Sequence, residues 1–162
     1  MPYVPFDQYF PELAKRETRF ITIFQDGTHG LPRGQYAFLE LYCDEPGCDC
    51  RRVMFYVATQ DSMGPLAIVA YGWESAAYYA RWMGDDDPEI VRELKGPVLN
   101  LGSPQSRLAP AILHLVTKVL LADPAYVERL KTHYRLFRQA IDQGARDQRR
   151  AERKRLRKRK GR

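Results

Sequence analysis

Three cysteines fall within eight residues, in the stretch LYCDEPGCDCRR from Leu41 to Arg52, and the chain contains no others. Alternate side chains of an extended segment point the same way, so Cys48 and Cys50 present both sulfurs on one side. The turn Asp-Glu-Pro-Gly returns the chain, so that Cys43, at the end of the preceding strand, meets them. Three converging thiolates suit zinc, which takes soft sulfur ligands in a tetrahedron with Zn–S distances near ~2.3 Å. A closed structural site needs a fourth ligand. His29 is the first choice, because its loop enters the strand that ends at Cys43. Asp44 and Asp49 come next, then a water or a partner chain. An iron–sulfur cluster would normally take four cysteines. The same residues have two competing readings: small cysteines packed as apolar groups, and reactive thiols whose pKa is lowered by Arg51 and Arg52. Cys48 and Cys50 sit among Asp, Gly and Arg, where no core position is expected, so metal binding is the favoured chemistry. The odd number of cysteines argues against a disulfide framework.

The segment GQYAFLELYCDEPGCDCRRVMFYV resembles a strand-turn-strand motif of small bacterial proteins, Glu-x-Tyr-Cys-x4-Cys-x-Cys-Arg-Arg, over about two dozen of the 162 residues. It is more loosely similar to the SEC-C zinc-binding motif, which also contains Cys-x-Cys. The chain departs from that motif in having no His-Cys pair after Cys50. The resemblance implies metal binding and no particular activity.

The second chemical feature is charge. The chain has a formal net charge of +6, but residues 146–162, RDQRRAERKRLRKRKGR, hold eleven Lys/Arg and two acids, a local charge of +9. Residues 1–145 carry 15 basic and 18 acidic side chains, a charge of −3. If the last helix continues past Gly144, Arg146, Arg149, Arg150, Arg153, Lys154 and Arg157 form a basic stripe at i, i+3, i+4 spacing; otherwise the segment is disordered in isolation. Either form concentrates positive charge against phosphates and gains from counterion release. The expected partner is nucleic acid, with RNA ahead of DNA, and the plainer alternative is a solubilising basic terminus. Apolar anchors for a membrane surface are missing.

Other candidates have simpler explanations. Asp85, Asp86 and Asp87 precede Pro88 and read as a negatively charged helix start. Tyr71, Trp73, Tyr78, Tyr79 and Trp82 could stack bases, but aromatics at helical spacing beside a sheet are more often core. His114 and His133 lie at helical positions beside apolar residues and read as packing groups. DGTHGLPRG lacks the order of glycines and the Gly-Lys-Ser/Thr ending of a phosphate loop. No serine sits in a Gly-x-Ser-x-Gly context.

The elements that must position these residues follow from periodicity. FDQYFPELAKRE reads as a short helix bent near Pro11. RFITIFQ, QYAFLELYC, RRVMFYVATQ and LAIVAYG read as four strands with short connections, hence an antiparallel meander. The pattern then turns helical: ESAAYYARWM closed by Gly84, a helix capped by Asp87, SRLAPAILHLVTKVLLA, and a long last helix behind Asp123-Pro124 with Tyr126, Leu130, Tyr134, Phe137 and Ile141 on one stripe. Together they predict an α+β fold, a four-stranded meander followed by a helical half packed on one face. Residues 1–145 form the domain and 146–162 the basic tail. No apolar run approaches the roughly 20 residues of a membrane span, and the start lacks the order of a signal peptide, so a cytoplasmic location is expected. The expected function is a zinc-binding, non-catalytic adaptor. The alternatives are a metal- or thiol-dependent enzyme built on the cysteines and a protein-interaction module.

Overall fold

The structure is a computed structural model that describes residues 3–160, with side chains as far as Lys158. Gly161 and Arg162, at the end of the basic segment, lie outside the described residues.

An antiparallel sheet of six strands organises the molecule. The expected meander is present as β2 (Arg19–Ile23), β3 (Gly34–Cys43), β4 (Arg52–Ala58) and β5 (Ala67–Gly72), each paired with the next. Two short strands extend it. β1 (Tyr3–Pro5) pairs with the end of β3, Tyr3 opposite Cys43, while β2 pairs with the start of β3, so both share one edge of that strand. β6 (Val98–Leu99) adds to the far side of β5. The four-stranded expectation is therefore corrected to six. The first expected helix divides into a 3-10 turn (Phe6–Gln8) and α1 (Pro11–Glu17), because proline lacks an N–H and its fixed φ suits the first helical position.

β3 alternates strictly: Tyr36, Phe38, Glu40 and Tyr42 are buried, and on β4 Val53, Phe55 and Val57 share that face. α4 (Ala109–Leu115), its π-helical continuation (Val116–Leu120) and α5 (Pro124–Lys160) supply the opposing wall through Ile112, Leu115, Leu120, Leu130 and Phe137. Asp123 caps α5 as its position before Pro124 predicts, accepting the Ala125 N–H at 3.0 Å. Likewise Asp87 caps α3 (Pro88–Lys95), accepting from Glu89 at 2.8 Å. α3 and α2 (Ala76–Met83) bury a smaller group, Tyr79 and Val91 with Ile68 and Ala70 of β5. Ile68 and Ala70 alternate with Ala67 and Val69, which belong to the main core, so the helices are shared between the two faces rather than packed on one. Among the described residues no single helix is long and apolar enough to cross a membrane.

Candidate metal centre

Cys43 closes β3, and Cys50 stands two residues before β4, so the sheet itself holds the two ends of the cysteine turn. Within it the Cys48 N–H donates to the Glu45 carbonyl at 3.2 Å, closing a tight turn over Pro46 and Gly47. Gly47 has φ 75°, a left-handed conformation that glycine adopts without steric cost. The three Sγ atoms lie within 4.8 Å of one another; Cys43 and Cys50 are buried, Cys48 is half-buried, and none forms a disulfide. Tetrahedral zinc with ~2.3 Å bonds places sulfurs ~3.8 Å apart. The three sulfurs are thus close enough to hold one ion between them.

Much of the turn's order comes from hydrogen bonds to its backbone. Arg51 is left-handed at φ 48°, a conformation that costs about 1 kcal/mol or more for a side chain of this kind. It is held from several sides. Its N–H donates to the Tyr134 hydroxyl at 3.2 Å, its carbonyl accepts the Tyr79 hydroxyl at 2.9 Å, and its guanidinium pairs with Asp49 and Glu74 over the Tyr78 ring. The Tyr78 hydroxyl donates to the Asp49 carbonyl. From α5 comes a second set of contacts at i, i+4, i+8 spacing. Tyr134 donates to the Cys48 carbonyl at 3.4 Å; Arg138 donates to the carbonyls of Cys43 and Glu45, each at 2.9 Å; Asp142 accepts the Gly47 N–H at 2.9 Å. Four residues per helical step keep these three side chains on one face, so α5 grips the turn like a clasp.

Burial raises all three thiol pKa values above their ordinary 9.0; the charge of a neighbouring sulfur adds to this at each cysteine, while thiol–thiol hydrogen bonds partly oppose it at Cys48 and Cys50. Uncomplexed, the cysteines are neutral at pH 7 and poor nucleophiles. A cation would offset that penalty by pairing with the thiolates. Of the two arginines expected to lower a thiol pKa, Arg51 is committed to Asp49 and Glu74; the charge of Arg52, which donates mainly to the Leu94 and Glu93 carbonyls of α3, does lower the Cys50 pKa, but burial outweighs it. Tyr3, opposite Cys43, also has its phenol pKa raised, chiefly by burial and partly by the three cysteines.

The proposed fourth ligand is also corrected. His29 lies in the 3-10 turn Thr28–Gly30 that precedes β3, whereas Cys43 ends that strand. At about 3.3 Å per residue the ten-residue strand separates them by roughly 30 Å. Proximity in the chain to the strand's start is not proximity to its end. Among the described residues no histidine or carboxylate joins the three cysteines; Asp49 is engaged by Arg51. The basic residues Arg146, Arg149, Arg150, Arg153, Lys154 and Arg157 are all exposed on the continuous helix α5, starting one turn beyond the clasp residue Asp142. The clasp residues are not evident as a set from the sequence: Tyr134 fits the apolar stripe, and the only signal is Tyr, Arg and Asp at four-residue spacing on that helix. Compared with the known protein families, with curated proteins and with solved structures, the chain matches none.

Proposed function

We propose that this chain is a non-catalytic binding module in which Cys43, Cys48 and Cys50 hold a zinc ion, the metal-held turn fixes α5 just below its basic extension, and that extension engages nucleic-acid phosphates, with RNA the preferred partner. The observation that carries this reading is the clasp: Tyr134, Arg138 and Asp142 tie the cysteine turn to α5 immediately before its exposed basic stripe begins. Zinc is favoured because all three donors are thiolates. Arginine and lysine on one exposed helix stripe supply phosphate contacts without reading sequence.

The test compares three proteins for binding to a single-stranded RNA at low salt: the full chain, a chain ending at Gly144, and Cys48→Ser. Elemental analysis after purification without added metal or chelator should give about one zinc per chain for the first two and close to none for the third. RNA affinity should fall sharply for the shortened chain. Metal-free full chain with unaltered thermal stability, or equal RNA binding by the shortened chain, would sink the corresponding half of the proposal.

A second reading has its own support. Beside Cys48 lies a groove of about 380 Å³ lined by Gly47, Asp49, Tyr134, Arg138 and Asp142. Three protein ligands and an accessible fourth position are the arrangement of a catalytic zinc, which activates a bound water. Hydrolytic activity that is lost in Cys48→Ser and restored by metal in the full chain would favour this enzyme reading.

A further inference from the structure

A pocket of about 340 Å³ lies between α1, the Phe6–Gln8 turn and strands β2 and β3. Phe6, Pro11, Ala14, Phe20 and Leu39 make its walls largely apolar, and Glu40 and His133 form its polar floor. His133, 2% exposed at its side chain, is held through both ring nitrogens: Nδ1 meets Glu40 Oε2 at 2.7 Å and Nε2 meets Glu17 Oε2 at 2.6 Å. A neutral imidazole carries one N–H and can donate to only one ionised carboxylate, so two such bonds require the imidazolium. Phe6 stacks on the ring at 4.4 Å.

The two carboxylates are not equivalent. Glu40, 4% exposed at its side chain, also accepts the hydroxyls of Tyr42 at 2.8 Å and Tyr126 at 3.3 Å and belongs to the floor. Glu17 ends α1 with 36% of its side chain exposed, held by His133 and, more distantly, by Arg129 Nε at 3.8 Å. Its partial exposure gives it a route into water, but leaving breaks the 2.6 Å bond and strips a buried N–H of its partner, a loss that only another anion at Nε2 makes good. Once it leaves, His133, Arg129 and the rim residue Lys15 face only Glu40 and Asp7, three cations against two anions. A cationic ligand would meet His133 and a Glu40 whose oxygens already accept three hydrogen bonds. An anion would find a vacated N–H and an unbalanced positive charge.

We infer that this pocket binds a small carboxylate with an apolar body, its acid group replacing Glu17 on His133 Nε2 and its body resting against Phe20 and Leu39. Glu17 is then an internal competitor, which gives the site a distinctive signature: removing a native contact tightens binding. The inference is independent of the metal centre and of the basic helix.

The test titrates the full chain with phenylacetate while following the His133 ring resonances by NMR. Phenylacetate should shift those resonances in the wild-type chain, and Glu17→Ala should bind about tenfold more tightly because a tethered carboxylate no longer competes. His133→Gln should lose binding; Leu39→Glu, at a partly exposed wall position, should lose it too, by charge repulsion, with an unchanged circular dichroism spectrum. Benzylamine should not bind. Affinity should decline as pH rises and the imidazolium is lost, with Glu17, Glu40, Tyr42, Tyr126, Arg129, Lys15 and Asp7 as the ionisable groups around it. Unshifted resonances in both the wild type and Glu17→Ala, equal affinities in the two, or benzylamine binding as well as phenylacetate would each overturn the inference and leave a purely structural ion cluster.

Discussion

At the scale of single residues, Glu40 sets the behaviour of its surroundings. A carboxylate on the buried face of β3 needs partners, and His133, Tyr42 and Tyr126 provide them. Burial alone would lower the His133 pKa, but the hydrogen bonds and charges of Glu40 and then Glu17 outweigh it and raise the value above 6.5. Because the folded pKa is the higher one, this stabilisation is fully present below the unfolded value near 6.5 and disappears as pH rises through the folded value. Urea unfolding across that range should therefore show wild type and His133→Gln converging in stability as pH rises. A gap that stays constant or widens would contradict the charged pairing. The cysteines give a second residue-scale expectation: Cys48→Ser should take the metal from about one equivalent to near zero and lower the melting temperature, as followed by circular dichroism. The cysteine cluster was legible because its three members are close in sequence. His133 was not, since its carboxylates are 93 and 116 positions away, and it was read as a packing residue.

Among the elements, β3 and α5 carry the cysteine turn between them. Arg138 is buried and donates to two turn carbonyls, and its Nε has no hydrogen-bond partner among the described residues. Arg138→Met should cost about 2–4 kcal/mol, since two charge-assisted hydrogen bonds are lost and their carbonyls are left poorly satisfied. The same variant should surrender metal to a chelator faster, which a chromogenic chelator would time; unchanged release would show that α5 does not support the turn. Asp142→Ala, at a more exposed contact, should cost nearer 1 kcal/mol. The central strands and helices were readable from periods of two and 3.6 because each is long enough to repeat its pattern. β1 and β6, with three and two residues, are too short to show any period and exist through pairing with β3 and β5. The reading of His29 failed for a related reason: sequence identifies a strand more readily than it shows how far that strand carries its two ends apart.

For the whole molecule, charge and core are separated. The domain body is mildly acidic and holds the buried cluster, while the last part of α5 is basic and exposed. A chain ending at Gly144 should melt within about 2 °C of the full chain, because little apolar area is lost. If the six stripe residues each neutralise one phosphate, RNA affinity of the full chain should fall with a log–log salt slope of about −4, and the shortened chain should show a much flatter dependence. Fluorescence anisotropy at several salt concentrations measures both. The single helix also has a mechanical consequence. From Gln143 to Lys160 it continues for about 26 Å beyond the clasp, at 1.5 Å per residue. With the cysteine turn as fulcrum, a tilt of about 10° at Asp142 would sweep the far end through roughly 5 Å, wider than the rise between stacked bases, so the clasp governs where the basic stripe lies.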